Sequence, residues 1–352
     1  VRELAPDPRT RVVVNCAGRT RSIIGTQSLV NAGIPNPVAA LRNGTIGWTL
    51  AGQALEHGQQ RRYASQAGHH RAEAQAAARA VADRADVARI DLAQWRRWQA
   101  EPRRTSYLFD VRSPEEFAAG HLPGARSTPG GQLVQETDHF ASVRGARLVL
   151  VDDDGVRANM SASWLAQMGW QVAVLDGLRA SDFSVRGPWQ APLPDSPAIE
   201  QISPRTLADW LREPGTLVLD VTASANHVQR HIPGAWWVLP SQLAQALEHL
   251  APPERFVLTC GSSLLARFVA PRLQALTQRP VFVLGGGTSA WIEAGLPVEE
   301  GSQRLASPRI DRYRRPYEGT DSPREAMQGY LDWEFGLVAQ LGRDGTHGFF
   351  VI

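Results

Sequence analysis

The sequence contains no lysine: all 37 of its Lys and Arg positions are arginine, set against 35 acidic residues. A formal net charge of +2 sets aside a dedicated nucleic-acid binder, which concentrates far more positive charge. Cysteine is nearly missing, with two in 352 residues, so no disulfide framework is expected. No C-x-x-C spacing occurs, and His69-His70 reads as a solvated pair in a polar helix, so no zinc site is expected. Neither a metal nor an organic cofactor is implied. Apolar runs stay well short of the roughly 18 to 20 residues of a membrane span. The opening Val1-Arg-Glu-Leu-Ala-Pro-Asp-Pro8 has no apolar signal-peptide segment. The two cysteines lie at the ends of strands in separate repeats, and such free thiols point to a reducing cytoplasm.

What the sequence does hold is one α/β unit written three times, the first time in half. In the third repeat, Thr216-Leu-Val-Leu-Asp-Val-Thr222 leads to His231-Ile-Pro-Gly-Ala235. Phe256-Val-Leu-Thr-Cys260, a helix over about 264–276, Val281-Phe-Val-Leu284 and Gly287-Thr-x-x-Trp-x-x-Ala-Gly295 follow. The second repeat keeps the order: Tyr107-Leu-Phe-Asp-Val-Arg112, His121-Leu-Pro-Gly-Ala125, Leu148-Val-Leu-Val-Asp-Asp153, and Val172-Ala-Val-Leu-Asp-Gly177. The first repeat has only the later half, from Val12-Val-Val14 through Cys16 to Gly44-Thr45, Trp48 and Ala51-Gly52. Short buried strands alternating with helices predict an α/β fold of mainly parallel sheets covered by helices on both faces.

Asp110 precedes Asp153 by 43 residues and Asp220 precedes Cys260 by 40. The matching aspartate of the first repeat would therefore fall before Val1. The expected organisation is a half domain over 1–56, an exposed helical connection over 57–87, a domain over 88–187, a proline-rich linker over 188–199, a domain over 200–301 and a tail over 302–352. That tail, helical in its spacing from Tyr330 to Gln340, is expected to pack on a domain or on a neighbouring subunit of a homodimer.

The chemistry concentrates at Cys16. A strand delivers it into the loop Ala17-Gly18-Arg19-Thr20-Arg21-Ser22, and strand carboxyl ends are where parallel α/β sheets place ligands. A curled loop at a helix N-terminus points its backbone N–H groups inward as an anion cradle, and Gly18 eases the curl. Arg19 and Arg21 add fixed positive charge suited to an oxyanion, while Ser22 is a candidate helix cap. Such surroundings favour the thiolate, the form of cysteine that attacks. The bland alternative is a small buried hydrophobe at a strand end; a glycine and two arginines so close argue against it.

These motifs resemble the rhodanese-like sulfurtransferases, and the chain looks like part of a tandem member. The resemblance rests on Asp110-Val-Arg112 with Glu115-Glu-Phe117, Gly120-His-Leu-Pro-Gly-Ala125, the Cys16–Arg21 loop and the closing Gly-Thr-x-x-Trp-x-x-Ala-Gly. It covers about residues 11–52, 88–187 and 200–300. It implies repeated rhodanese-like domains and a small-molecule sulfur donor such as thiosulfate, with cyanide or a thiol as acceptor. Cys16 is then the nucleophile and persulfide carrier, Arg19 and Arg21 hold the sulfonate, and the N–H groups of residues 17 to 21 steady the transferred sulfur.

The other two loops depart from this pattern. The second repeat sets Asp153 against the cysteine, so it is expected to be inactive, with Asp110 and Arg112 as a structural ion pair. Cys260, the second candidate nucleophile, keeps Gly261 but has no arginine before Arg267. Two rival readings remain at this point. A noncatalytic scaffold or regulatory module explains the lost residues. A cysteine phosphatase or arsenate reductase explains the cradle less well, because such loops place five residues between cysteine and arginine, where four lie between Cys16 and Arg21.

Overall fold

A computed structural model of the chain describes residues 1–61, 70–312, 315–316 and 322–352. Its strands are β1 (Val12–Val14), β2 (Val38–Ala40), β3 (Ala88–Ile90), β4 (Ser106–Asp110), β5 (Arg126–Ser127) and β6 (Arg147–Val151). Then come β7 (Gln171–Leu175), β8 (Gln201–Ile202), β9 (Thr216–Asp220), β10 (Trp236–Trp237), β11 (Arg255–Thr259) and β12 (Val281–Leu284). They form two compact units: residues 1–190 with 315–352, and residues 191–314.

The first unit contains a two-stranded sheet, β1-β2, and a five-stranded sheet ordered β3-β7-β6-β4-β5. The second unit has one five-stranded sheet, β8-β12-β11-β9-β10. Counted from its own first strand, each five-stranded sheet runs first, fifth, fourth, second, third. Every ladder between named strands is parallel, as strands joined by helical crossovers require.

Strand β6 shows why the sequence adopts this layering. Leu148, Val149, Leu150 and Val151 are all fully buried, a continuous apolar run covered on both faces. Leu148 and Leu150 join one core with Phe109, Leu133 and Leu165. Val149 and Val151 join the opposite core with Trp95, Phe117 and Leu122. The second unit repeats the division, with Leu258 in one core and Val257 in the other. Each such side chain contributes about 1.5–3 kcal/mol of burial.

Helix Arg71–Arg84 corrects the expectation of an exposed connection. Its Ala78, Val81 and Ala82 are buried, and it packs on helix Arg157–Gln167 as a flank of the five-stranded sheet. The composition looked solvated because alanine supplies the buried stripe. Residues 62–69, which include His69, lie outside the described residues; His70 pairs with Glu73 at 3.3 Å. Among the described residues, no helix is long and apolar enough to cross a membrane.

Candidate active site

Cys16 lies just beyond β1 and is partly exposed. Its loop is pinned from the far side by the helix Gly44–Leu50. The Thr45 N–H donates to the Cys16 carbonyl at 2.9 Å, and the Ile46 N–H donates to the Ala17 carbonyl at 3.0 Å. Gly44 makes this approach possible: its φ is +58°, and an added Cβ would collide with the carbonyl oxygens of Cys16 and Gly18. Glycine alone combines that backbone with that space.

Helix Thr20–Asn31 follows directly, so the loop meets a helix N-terminus. Ser22 is not its cap. The helix starts two residues earlier, and the Ser22 hydroxyl donates back to the Arg19 carbonyl at 2.8 Å. The two arginines are engaged elsewhere in the first unit. The Arg19 guanidinium sits 4.0 Å from the centre of the Phe335 ring, and Arg21 donates to Gln132 at 3.3 Å.

The C-terminal helix Arg324–Asp344 brings further residues to the loop. Met327 and Leu331 bury themselves with Ile46. Tyr330 lies against Gly18, where an added Cβ would stand 3.2 Å from its ring. The Thr20 hydroxyl donates to Glu334 at 2.8 Å, and the Tyr330 hydroxyl donates to the same carboxylate oxygen. Sequence reasoning did not find Glu334 or Phe335. The only signal was an acid four residues after a tyrosine in an amphipathic stretch, and that pattern is common.

The third repeat builds the same frame around Cys260. Thr288 N–H donates to the Cys260 carbonyl at 2.8 Å and Ser289 N–H to the Gly261 carbonyl at 3.0 Å. Gly287, with φ +62°, occupies the place of Gly44. Here the thiol is only 4% exposed and belongs to the apolar core. Ser263 takes a left-handed φ of +70° ahead of helix Leu264–Leu276, a strained conformation for a residue with a side chain. In place of the arginine pair of the second repeat, buried Asp220 meets the ring nitrogen Nδ1 of His227 at 2.9 Å.

In the second repeat the residue at the cysteine position is Asp152, not Asp153. Asp110 pairs with Val151, as Asp220 pairs with Thr259, so the next residue, Asp152, stands where Cys260 does. Its carboxylate fills its own cradle, accepting from the Gly155 and Ala158 N–H groups at 2.8 Å each. Burial raises its pKa to about 7, helped by a shared hydrogen bond with Asp154 and opposed by those two amides. Arg112 forms a two-pronged pair with buried Asp110, at 2.9 and 2.6 Å. Arg157 grips Glu116 at 2.6 and 3.1 Å and holds that carboxyl down at about 2. A cavity of about 790 Å³ opens at this loop, lined in part by Arg112, Glu116, Asp152 and Phe183.

Comparison with known proteins adds four results. The family model of the rhodanese-like domain matches residues 92–177 and 203–294; the Cys16 loop lies outside both segments. A crystal structure of thiosulfate sulfurtransferase from Pseudomonas aeruginosa is 77% identical, covering 100% of this chain and 67% of that one, with a TM-score of 0.96. A rhodanese-related protein from Thermoplasma volcanium is 21% identical over 28% of this chain and 97% of its own, with a TM-score of 0.26. A search of curated proteins gave no match.

Proposed function

This chain belongs to the rhodanese-like family, and from that premise we propose that it is a sulfurtransferase working through a persulfide on Cys16. The donor is thiosulfate or a related sulfane compound; the acceptor is cyanide or a thiol. The name carried by the Pseudomonas aeruginosa relative supports the reaction class. The observation that carries the assignment to Cys16 is its place: a partly exposed cysteine just beyond a strand end, in the short loop that leads into helix Thr20–Asn31.

The reaction divides into two displacements, as nucleophilic catalysis does. The Cys16 thiolate attacks the outer sulfur of thiosulfate; the donor S–S bond breaks, and sulfite leaves with its electron pair. A new S–S bond now joins that sulfur to Cys16. The acceptor nucleophile then takes the outer sulfur, giving thiocyanate from cyanide, and the Cys16 thiolate returns. The N–H groups of residues 17 to 21 face the charge on the transferred sulfur. Arg19 and Arg21 swing from Phe335 and Gln132 to meet a sulfonate.

The second and third repeats have noncatalytic roles in this reading. Asp152 has no sulfur to carry, and its carboxylate occupies the cradle an anion needs. Cys260 is sealed in apolar packing. We place domains at 88–187, to which the helix Arg71–Arg84 adds a flank, and at 200–301, with residues 1–56 as a third, partial repeat, and the protein in the cytoplasm, where two free thiols persist. Thiosulfate-dependent thiocyanate formation tests the assignment. Cys16→Ala should abolish it, whereas Cys260→Ala and Asp153→Ala should leave it within about twofold. Activity that survives loss of Cys16 and disappears with Cys260 would transfer the role to the third repeat.

A further inference from the structure

Glu334 is a buried carboxylate that the reaction above does not use. It is 8% exposed. One oxygen, Oε1, accepts from Thr20 at 2.8 Å and from Tyr330. The other, Oε2, is buried without a hydrogen-bond partner among the described residues. Thr20 opens the helix Thr20–Asn31, whose own first turn holds no acid. Glu334 therefore brings a negative charge to the positive end of that helix, from a segment more than 300 residues away in sequence.

A helix N-terminus has a limited positive potential, and two anions facing it compete. Charge that Glu334 neutralises is withdrawn from an anion bound at Cys16. The same C-terminal helix also keeps the Arg19 guanidinium 4.0 Å over Phe335. A single element thus adds a carboxylate and draws off a cation. The second repeat shows the related arrangement carried further, with the Asp152 carboxylate inside its own loop.

Building on the assignment of Cys16 as nucleophile, we propose that Glu334 is a specificity-determining residue that sets the charge selectivity of this site. It disfavours strongly anionic sulfur donors such as the thiosulfate dianion, relative to sulfane donors of lower charge. Glu334 does not touch the transferred sulfur; it acts through Thr20 and the helix end.

Alkylation of the whole chain reads this potential without needing turnover. The Cys16 thiolate displaces iodide from iodoacetate, an anion, or from iodoacetamide, which is neutral, and mass analysis of the Cys16 peptide separates it from Cys260. The ratio of the two rate constants cancels changes in thiolate content and loop accessibility. Glu334→Gln should raise the iodoacetate-to-iodoacetamide ratio about two- to fivefold, the worth of one charge at a helix terminus. Glu334→Asp and Tyr330→Phe, which keep the charge, should stay near the wild-type ratio.

An unchanged ratio in Glu334→Gln overturns the proposal, because a carboxylate that only anchors the helix alters both rates alike. An equal rise in Glu334→Asp also overturns it, since packing rather than charge would then be responsible. A Cys16 inert to both reagents in the wild type removes the nucleophile itself, and with it both readings. A reactive Cys16 with a flat ratio removes only this one.

Discussion

At the residue scale, Asp152 shows most clearly how a repeat can keep its loop without a thiol. A carboxylate in place of sulfur satisfies the Gly155 and Ala158 amides directly, so the loop folds as an anion cradle with its anion built in. Burial and the neighbouring Asp154 raise its pKa from 3.8 to about 7, with Asp153, Glu116, Arg112 and Arg157 grouped nearby. A carboxyl whose folded pKa lies above its unfolded value binds its proton more tightly when folded. The stability it allows is complete below about pH 4 and is lost as pH rises towards 7. Asp152→Asn removes that loss and adds a pH-independent offset. In urea titrations, the stability of the variant relative to wild type should therefore climb between pH 4 and pH 7 and then level off; a gap that stays flat would dismiss the buried titration. Asp152 was not identifiable from sequence. Three aspartates in a row leave the register open by one residue, and only the ladder of β4 with β6 fixes it.

At the scale of elements, the repeats were legible because their signals reinforce one another. Strand Thr216–Asp220 and the run Leu148–Val151 are short, apolar and bounded by turn residues, which suits strands buried on both faces. The same holds for Gly44-Thr45 against Gly287-Thr288: both pairs sit where a helix start approaches a loop carbonyl. Ser22 reads as a helix cap in the sequence, yet helix Thr20–Asn31 begins ahead of it, because Arg19 at the N-cap makes no side-chain cap that could mark the start. Gly44 provides the test at this scale. Gly44→Ala forces a Cβ into the Cys16 and Gly18 carbonyls as well as straining a left-handed backbone. It should lower the thiosulfate-dependent rate at least tenfold by displacing the loop. Gly52→Ala has a similar φ of +74° but open space around its Cβ, so it should cost about 1 kcal/mol of stability and leave the rate within twofold. Equal rates for the two variants would show that the Gly44 contact does not shape the loop.

At the scale of the whole molecule, the sequence was least informative where distant segments meet. The fold class follows from composition and repeat, and both five-stranded sheets obey one strand order. The meeting of Thr20 with Glu334 follows from neither. An amphipathic tail announces that it will pack, without saying on what, and its anchor is the small cluster of Ile46, Met327 and Leu331. The difference between the two cysteines is likewise a property of the folded molecule. Cys16 and Cys260 both follow apolar strands, yet one is partly exposed and the other belongs to a core.

That difference is open to a direct measurement on the intact chain. The protein is incubated with thiosulfate, freed of small molecules and weighed, and its peptides are mapped. The account predicts a mass gain of one sulfur atom, carried by the Cys16 peptide, absent from Cys16→Ser and discharged by cyanide. A chain that gains no sulfur, or gains it on Cys260, would contradict it.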